Sequence, residues 1–448
     1  MKKSILFVAG IAILAILVFV IIEKNREAVN LTPLVKLIPQ QDNTACWAAS
    51  IAMVYNTIND KNSTNNCDNL QCEIITYNHI DDGKTKHCGC PKCYTSSQKS
   101  IDQLKPIISY FIPEYSKIDI GKTMLLNSIK TLIIDKKKPI IYDFIYKGDG
   151  TKHLSVISGI ERQEASQNNF ITLMKITDPF PVCKGNEYYM TYERYFYQDG
   201  VNSSTSSIGK YTIHPELNTL ETHEDSLNNN KYITNVFYNN SEKELINNFI
   251  EVAKSNNTLS EDFFKITTLP NHFENIKVGL SLKIKNIGTD EISIISSSEI
   301  AEKLKYLRNT KYNEKLICLI KNCTIQTTIT TSNIGTENAK KWIIYSIEKG
   351  KEVNAFAKAI SPDTGKRNIA CDELFGESEN FVIYLKDKDA HFIVFNDADK
   401  NTIDWDKLEN WKVFDLYGIG FQALDSSTTS QILSFNDFLN LKYFQTIP

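Results

Sequence analysis

The stretch LIPQQDNTACWAASIAMVYNTI, residues 37–58, decides how this chain is read. Residues 43–59 carry no charge at all. A run of Ala, Met, Val and Ile without charge predicts a helix buried in a core, not one lying at a surface. Asn43 or Thr44 stands where an N-cap belongs. Cys46 then falls in the first turn, where the positive end of the helix dipole favours an anion. Taken alone, a buried cysteine is more often a small hydrophobe than a nucleophile. Its neighbours have to decide.

A thiolate nucleophile needs a base and a donor for the developing oxyanion. Gln40 lies six residues before Cys46, on the loop that leads into the helix, and its side-chain amide can donate. Gln41 is the adjacent alternative. The base is found far along the chain. Residues 139–147 (PIIYDFIYK) read as an apolar strand, and Gly148-Asp149-Gly150 supplies turn chemistry. Residues 153–160 (HLSVISGI) then alternate, with Leu154, Val156 and Ile160 on one face and His153, Ser155, Ile157 and Gly159 on the other. His153 therefore begins an interior strand beside a turn. A further strand over residues 170–176 runs into Thr177-Asp178-Pro179-Phe180. Asp178 can accept from the imidazole and orient it, although an Asp-Pro pair ending a strand is also ordinary turn chemistry.

Gln, then Cys on a helix, then His on a strand, then Asp ending the next strand is an order that resembles bacterial papain-like cysteine peptidases. These include the bacteriocin-processing peptidase domains of exporters and the secreted cysteine-protease effectors of plant pathogens. The matching pieces are Pro39-Gln40-Gln41, Cys46-Trp47-Ala48-Ala49-Ser50 with Met53, His153 with Val156, Ile157 and Gly159, and Asp178-Pro179. Gln71-Cys72-Glu73 and the cysteines after it also resemble a subgroup with cysteines just past the central helix. The likeness covers about residues 34–200. It implies an α+β papain-like domain, a central helix packed on an antiparallel sheet. It also implies Cys46 as nucleophile, His153 as base, Asp178 as orienter and Gln40 as oxyanion donor. Relatives often carry Trp after the proline where this chain has Phe180, and the cysteine-rich insertion is long. A protein or peptide substrate follows, with no metal or cofactor in the chemistry.

Composition is that of an ordinary globular protein. The chain has 448 residues, 42% hydrophobic and 23% charged, which excludes wholesale disorder and a polytopic membrane protein. The net charge of -3 leaves no basic excess for nucleic acid. At the amino terminus, Lys2 and Lys3 precede an uncharged apolar run over residues 5–22, followed by Glu23-Lys24-Asn25-Arg26 with no small-residue cleavage site. That predicts a transmembrane signal-anchor over residues 1–24, a cleaved signal peptide being the other reading. Either places the body outside the cytoplasm, in the cell envelope or periplasm, where disulfides form. The flanking charges barely bias orientation.

The remaining cysteines are read on that basis. Cys67, Cys72, Cys88, Cys90 and Cys93 crowd one region with His79 and His87. Disulfides are the expectation there and a zinc site the alternative; the odd member can pair with Cys183. Cys318 and Cys323 are close enough in sequence for a local bridge, and Cys371 has no evident partner. Polar runs at residues 203–207 and 228–230 put a boundary between a peptidase domain, 34–214, and a carboxyl-terminal α+β domain of unknown role, 230–448. In that second part residues 276–287 alternate as a strand, and residues 380–385 and 391–395 form a hairpin across Lys386-Asp387-Lys388-Asp389. Residues 340–347 are apolar enough to be buried. Residues 397–401 begin like a calcium loop but lack its glycine, and Glu409 comes one place late. His391 heads a strand as a structural histidine. Tyr188, Tyr189, Tyr192, Tyr195 and Tyr197 read as packing first and as a substrate groove second.

The expectation is a membrane-anchored cysteine peptidase with a Cys-His-Asp triad. A transglutaminase-like acyl transferase, a surface binding protein on an inactive scaffold, and a processor of exported leader peptides are the rivals.

Overall fold

The computed structural model describes residues 35–445, except 43, 62–68, 78–83, 86–92, 95–98, 121–122, 125, 146–151, 167–168, 198–210, 217–221, 224–237, 240, 256–260, 269–275, 288–305, 308–311, 313, 323, 334–341, 360–376, 386–389, 397–407 and 419. The apolar run at residues 5–22, the polar runs at 203–207 and 228–230 and the calcium-like segment at 397–401 therefore lie outside the described residues. So do Cys67, Cys88, Cys90, Cys323 and Cys371. No helix among the described residues is long and apolar enough to cross a membrane.

The uncharged stretch forms helix α1, Cys46–Ile58, with Trp47, Ala48, Ala49, Ile51, Ala52, Met53 and Val54 all buried. Small residues on nearly every side let it sit deep in the molecule. It packs with α2 (Asn69–Thr76) and α3 (Ile101–Phe111) in one core with Leu154, Val156 and Ile213. A Ser100–Gln103 capping box starts α3.

Among the described residues the main sheet has fifteen strands. In chain order they are β1 Lys117–Ile120, β2 Ile140–Ile145, β3 Lys152–Ser166, β4 Asn169–Asp178, β5 Asn186–Thr191, β6 Tyr211–His214 and β7 Tyr238–Asn239. There follow β8 Lys277–Ile287, β9 Glu314–Lys321, β10 Thr324–Asn333, β11 Trp342–Lys349, β12 Glu377–Leu385, β13 Ala390–Asn396, β14 Trp411–Asp415 and β15 Ile432–Ser434. Neighbours run β15-β14-β13-β12-β8-β9-β10-β11-β5-β4-β3-β2-β6-β1, with β7 against β11. Pairing is antiparallel except between β8 and β12, which are parallel. The strands expected near 139–147, 153–160, 170–176 and 276–287 are β2, β3, β4 and β8. Of the segment 340–347, residues 342–347 lie in β11 and are mostly buried, residues 340–341 being outside the described residues, and the expected hairpin is the pair β12–β13, with Leu385 opposite Ala390.

Strand β3 is paired on both edges, by β2 and β4, and both its faces are packed. Leu154 and Val156 join the α1 core. Ile157 packs on the other face with Met174, Ile176 and Tyr192. The expected companionship of Ile160 with Leu154 and Val156 is corrected: Ile160 joins Ile157. A register shift in the β3–β4 ladder between Ile157 and Gly159 is the reason, since one irregular step exchanges the faces that follow it.

The two parts of the chain share this sheet. β11 meets β5 with Ile347 opposite Tyr189, and Thr191 Oγ1 donates to the Ile344 carbonyl at 2.6 Å. The Arg194 guanidinium lies 3.5 Å over the Tyr345 ring and donates to the Tyr345 carbonyl. Leu173 and Tyr189 are packed in one core with Leu245, Phe249, Phe263 and Ile347.

Candidate active site

Cys46 is the first residue of α1; its thiol is buried and forms no disulfide. The cap is not the expected one. Ala45 holds the N-cap position without a side-chain bond. The Asp42 carboxylate takes the Thr44 amide at 2.8 Å and the Thr44 hydroxyl at 2.9 Å, so that hydroxyl is engaged before the helix begins. Asn43 is outside the described residues. Further along α1, Ser50 Oγ donates to the Leu154 carbonyl at 3.1 Å. That bond pins the cysteine helix to the strand residue next to His153.

His153 and Asp178 are brought together by the β3–β4 ladder. The imidazole Nε2 lies 2.6 Å from Asp178 Oδ1, and both residues are buried. With Nε2 committed to the carboxylate, the other ring nitrogen is the one available to Cys46. Burial by itself would pull the His153 pKa down. The Asp178 charge and hydrogen bond, then the hydrogen bond and charge of Cys46, outweigh it and hold the imidazole well above its ordinary value of 6.5. Cys46, His153 and Asp178 thus interact as a chain of neighbours.

Asp178 is itself held. Its Oδ1 also accepts the Phe180 amide at 2.9 Å, and its Oδ2 accepts the Tyr188 hydroxyl at 3.4 Å. The Phe180 ring stands edge-on to the His153 ring, centroids 6.2 Å apart. No contact with Asp178 was legible for either: Tyr188 belongs to a tyrosine row read as packing first and as a substrate groove second, and Phe180 stands in an Asp-Pro turn where relatives often carry Trp. Packing is indeed where most of that row goes, with Tyr188, Tyr192 and Tyr195 in one core and Tyr189 in another. The side chain of Tyr197 is outside the described residues.

Gln40 is buried on the loop before α1. Its amide Nε2 donates to the Asp42 carbonyl at 2.9 Å, which uses one of its two hydrogens. Its backbone clamps this loop to the far side of Asp178: Gln40 N donates to the Pro179 carbonyl and Cys183 N to the Gln40 carbonyl, each at 2.9 Å. Gln41, the alternative donor, is turned toward α2. Its side-chain Nε2 donates to Cys72 Sγ at 3.4 Å and its backbone N–H to Gln71 Oε1 at 3.0 Å, while Gln71 Nε2 returns a bond to the Pro39 carbonyl. Gln71, noted in the sequence only as part of the Gln71-Cys72-Glu73 resemblance, is therefore a second support of the loop.

Cys72 and Cys183 are each engaged in a disulfide. The suggested local bridge from Cys318 is corrected: Cys318 lies in strand β9 and is a free thiol, its pKa pushed up to about 12 by burial. Among the described residues no group of three or more His, Cys, Asp or Glu side chains is arranged to hold a metal ion. His391 heads β13 as expected and stacks on Tyr384 at 4.1 Å. Its Nδ1 is buried without a hydrogen-bond partner, so it is packed and not satisfied. Burial holds it down at about 3, hence neutral.

No curated protein and no solved structure matches the chain. Residues 34–206 match the model of the Peptidase_C39 like family. That segment, which holds Cys46, His153 and Asp178, is related to the bacterial papain-like cysteine peptidases.

Proposed function

We propose that the protein is a cysteine peptidase in which Cys46, His153 and Asp178 act as a triad with Gln40 as oxyanion donor. The observation that carries this reading is the buried 2.6 Å His153–Asp178 pair with Cys46, the first residue of a buried helix, in contact with the imidazole. The Cys46 thiolate attacks a peptide carbonyl carbon, and the carbonyl π pair moves to oxygen. Backbone N–H of Cys46 and the Gln40 amide receive that oxyanion. The intermediate collapses to a thioester as the C–N bond breaks, and the His153 imidazolium gives its proton to the leaving amine. Neutral His153 then takes a proton from water, hydroxide displaces the thiolate, and a carboxylic acid leaves. Asp178 keeps the imidazole oriented throughout and is not itself protonated.

The reading includes membrane attachment through residues 5–22, with the body outside the cytoplasm. The disulfides at Cys72 and Cys183 support an oxidising compartment. The test compares terminal peptides released in cells carrying wild-type or Cys46→Ala chain. Peptides that vanish with Cys46→Ala name the substrate; identical profiles end the peptidase reading. An amine-adducted product mass would instead mark acyl transfer.

A further inference from the structure

We propose that the carboxyl-terminal half is part of the catalytic machinery, with Tyr417 acting as a positioning residue for the His153–Asp178 pair through Phe180. The proposal rests on the peptidase reading of that pair.

The segment from Asp178 to Asn186 leaves the site at the end of β4 and returns at the start of β5. It is gripped from the carboxyl-terminal half at its middle and its end. The Phe180 ring stands edge-on between two rings: His153 at 6.2 Å and 88°, and Tyr417 at 6.1 Å and 82°. Four residues on, Lys184 Nζ donates to the Tyr417 carbonyl at 2.6 Å. At the far end, Asn186 Nδ2 donates to Glu348 Oε2 on β11 at 3.1 Å. Asn186 is the register partner of Asp178 itself. Phe180 N shares Asp178 Oδ1 with His153, so any displacement of Phe180 is felt directly by the oxygen that orients the imidazole.

Tyr417 is built as a fixed platform. The buried Asp415 carboxylate takes the Gly418 and Phe421 amides, each at 2.9 Å, and ties down the turn on both sides of Tyr417. Gln431 Nε2 closes onto the Asp415 carbonyl, and Leu416 N onto the His391 carbonyl. The Tyr417 ring meets His391 at 5.4 Å, and His391 is stacked on Tyr384. A row of rings thus runs from the strands β12 and β13 to the catalytic histidine. A turn that served only to connect β14 to the last helices would need none of this order.

The experiment uses the full chain in wild-type, Tyr417→Ala, Tyr417→Phe and Lys184→Met forms. Two quantities are read: kcat and KM on the fastest-cleaved member of a quenched-fluorescent peptide library, and the iodoacetamide alkylation rate of Cys46 by peptide mass. The ring contact is what matters, so Tyr417→Ala lowers kcat by up to about tenfold, the scale of one aromatic pair expressed in the transition state. KM stays within about twofold, the Cys46 alkylation rate falls in parallel, and Tyr417→Phe restores both. Lys184 is exposed, so Lys184→Met keeps the test alive if Tyr417→Ala fails to fold; it lowers kcat by about threefold, the scale of a modest hydrogen bond. Wild-type kcat and alkylation in folded Tyr417→Ala, or in Lys184→Met where Tyr417→Ala does not fold, overturns the proposal. So does a Tyr417→Phe chain as impaired as Tyr417→Ala. The two readings fail separately. A wild-type chain that cleaves no peptide, yet alkylates at Cys46 in a Tyr417-dependent way, sinks the peptidase and keeps the positioning role. A cleaving wild type matched by Tyr417→Ala does the reverse.

Discussion

At the residue scale the site is a competition between burial and charge at His153. Burial alone would leave the imidazole neutral, and Asp178 with Cys46 reverses that. The sign sets the pH behaviour. A folded value raised above 6.5 contributes stability that is fully present below 6.5 and is lost as pH rises through the folded value. In the proposed mechanism the alkaline limb of activity tracks the same loss of the imidazolium proton. Asp178→Asn removes the first group that raises the value while the burial stays, so the alkaline limb moves to lower pH and kcat falls by at least about tenfold; a pH–rate profile of the variant checks both. Under the proposed mechanism Cys46→Ala removes the nucleophile, from a position that tolerates a small apolar side chain. Turnover drops to background while the melting temperature stays within about 5 °C, since the exchange is small in a well-packed site.

At the element scale the site depends on how α1 and the loops around it are seated. Ser50 spends its hydroxyl on the Leu154 carbonyl, a residue from His153. Ser50→Ala leaves that buried acceptor short of a donor and costs about 1 kcal/mol, read from urea unfolding. Gly185 is a stronger constraint. Its φ is +61°, and a Cβ there would lie 2.7 Å from Leu37 Cδ1, on the loop that carries Gln40. Gly185→Ala therefore combines left-handed backbone with a clash and destabilises by about 2 kcal/mol, seen in the same unfolding experiment. Because the clash pushes on residues 37–41, its activity loss should exceed what equal destabilisation produces at a remote position.

At the scale of the whole molecule the sheet does not stop where the composition changes. β11 pairs along one edge of β5, and Leu173 and Tyr189 share a core with Leu245, Phe249, Phe263 and Ile347 from the later part of the chain. A fragment ending at residue 214 leaves β5 as an open edge with an apolar face beside it. Expressed alone, residues 34–214 should lack the cooperative melt of the full chain or aggregate, as calorimetry and size-exclusion chromatography would report. A fragment that melts cooperatively at the full-chain temperature would show that the shared core adds nothing to the amino-terminal part.

The amino-acid order by itself determined the central helix, the strands bearing His153 and Asp178, and the identities of Cys46, His153, Asp178 and Gln40 as the residues to watch. Charge-free runs and two-residue alternation report burial locally, so these are legible without a fold. It also pointed to disulfides, which Cys72 and Cys183 bear. What only the tertiary structure decided is everything that depends on partners distant in sequence. The Ile160 face follows from an irregularity in pairing with another strand. The neutral state of His391 follows from burial among rings on other elements. Asp178 is held by Phe180 and Tyr188, the first held in turn by Tyr417 from over two hundred residues away. A side chain's local sequence carries no record of which distant ring will face it, because that contact is set by the packing of whole strands.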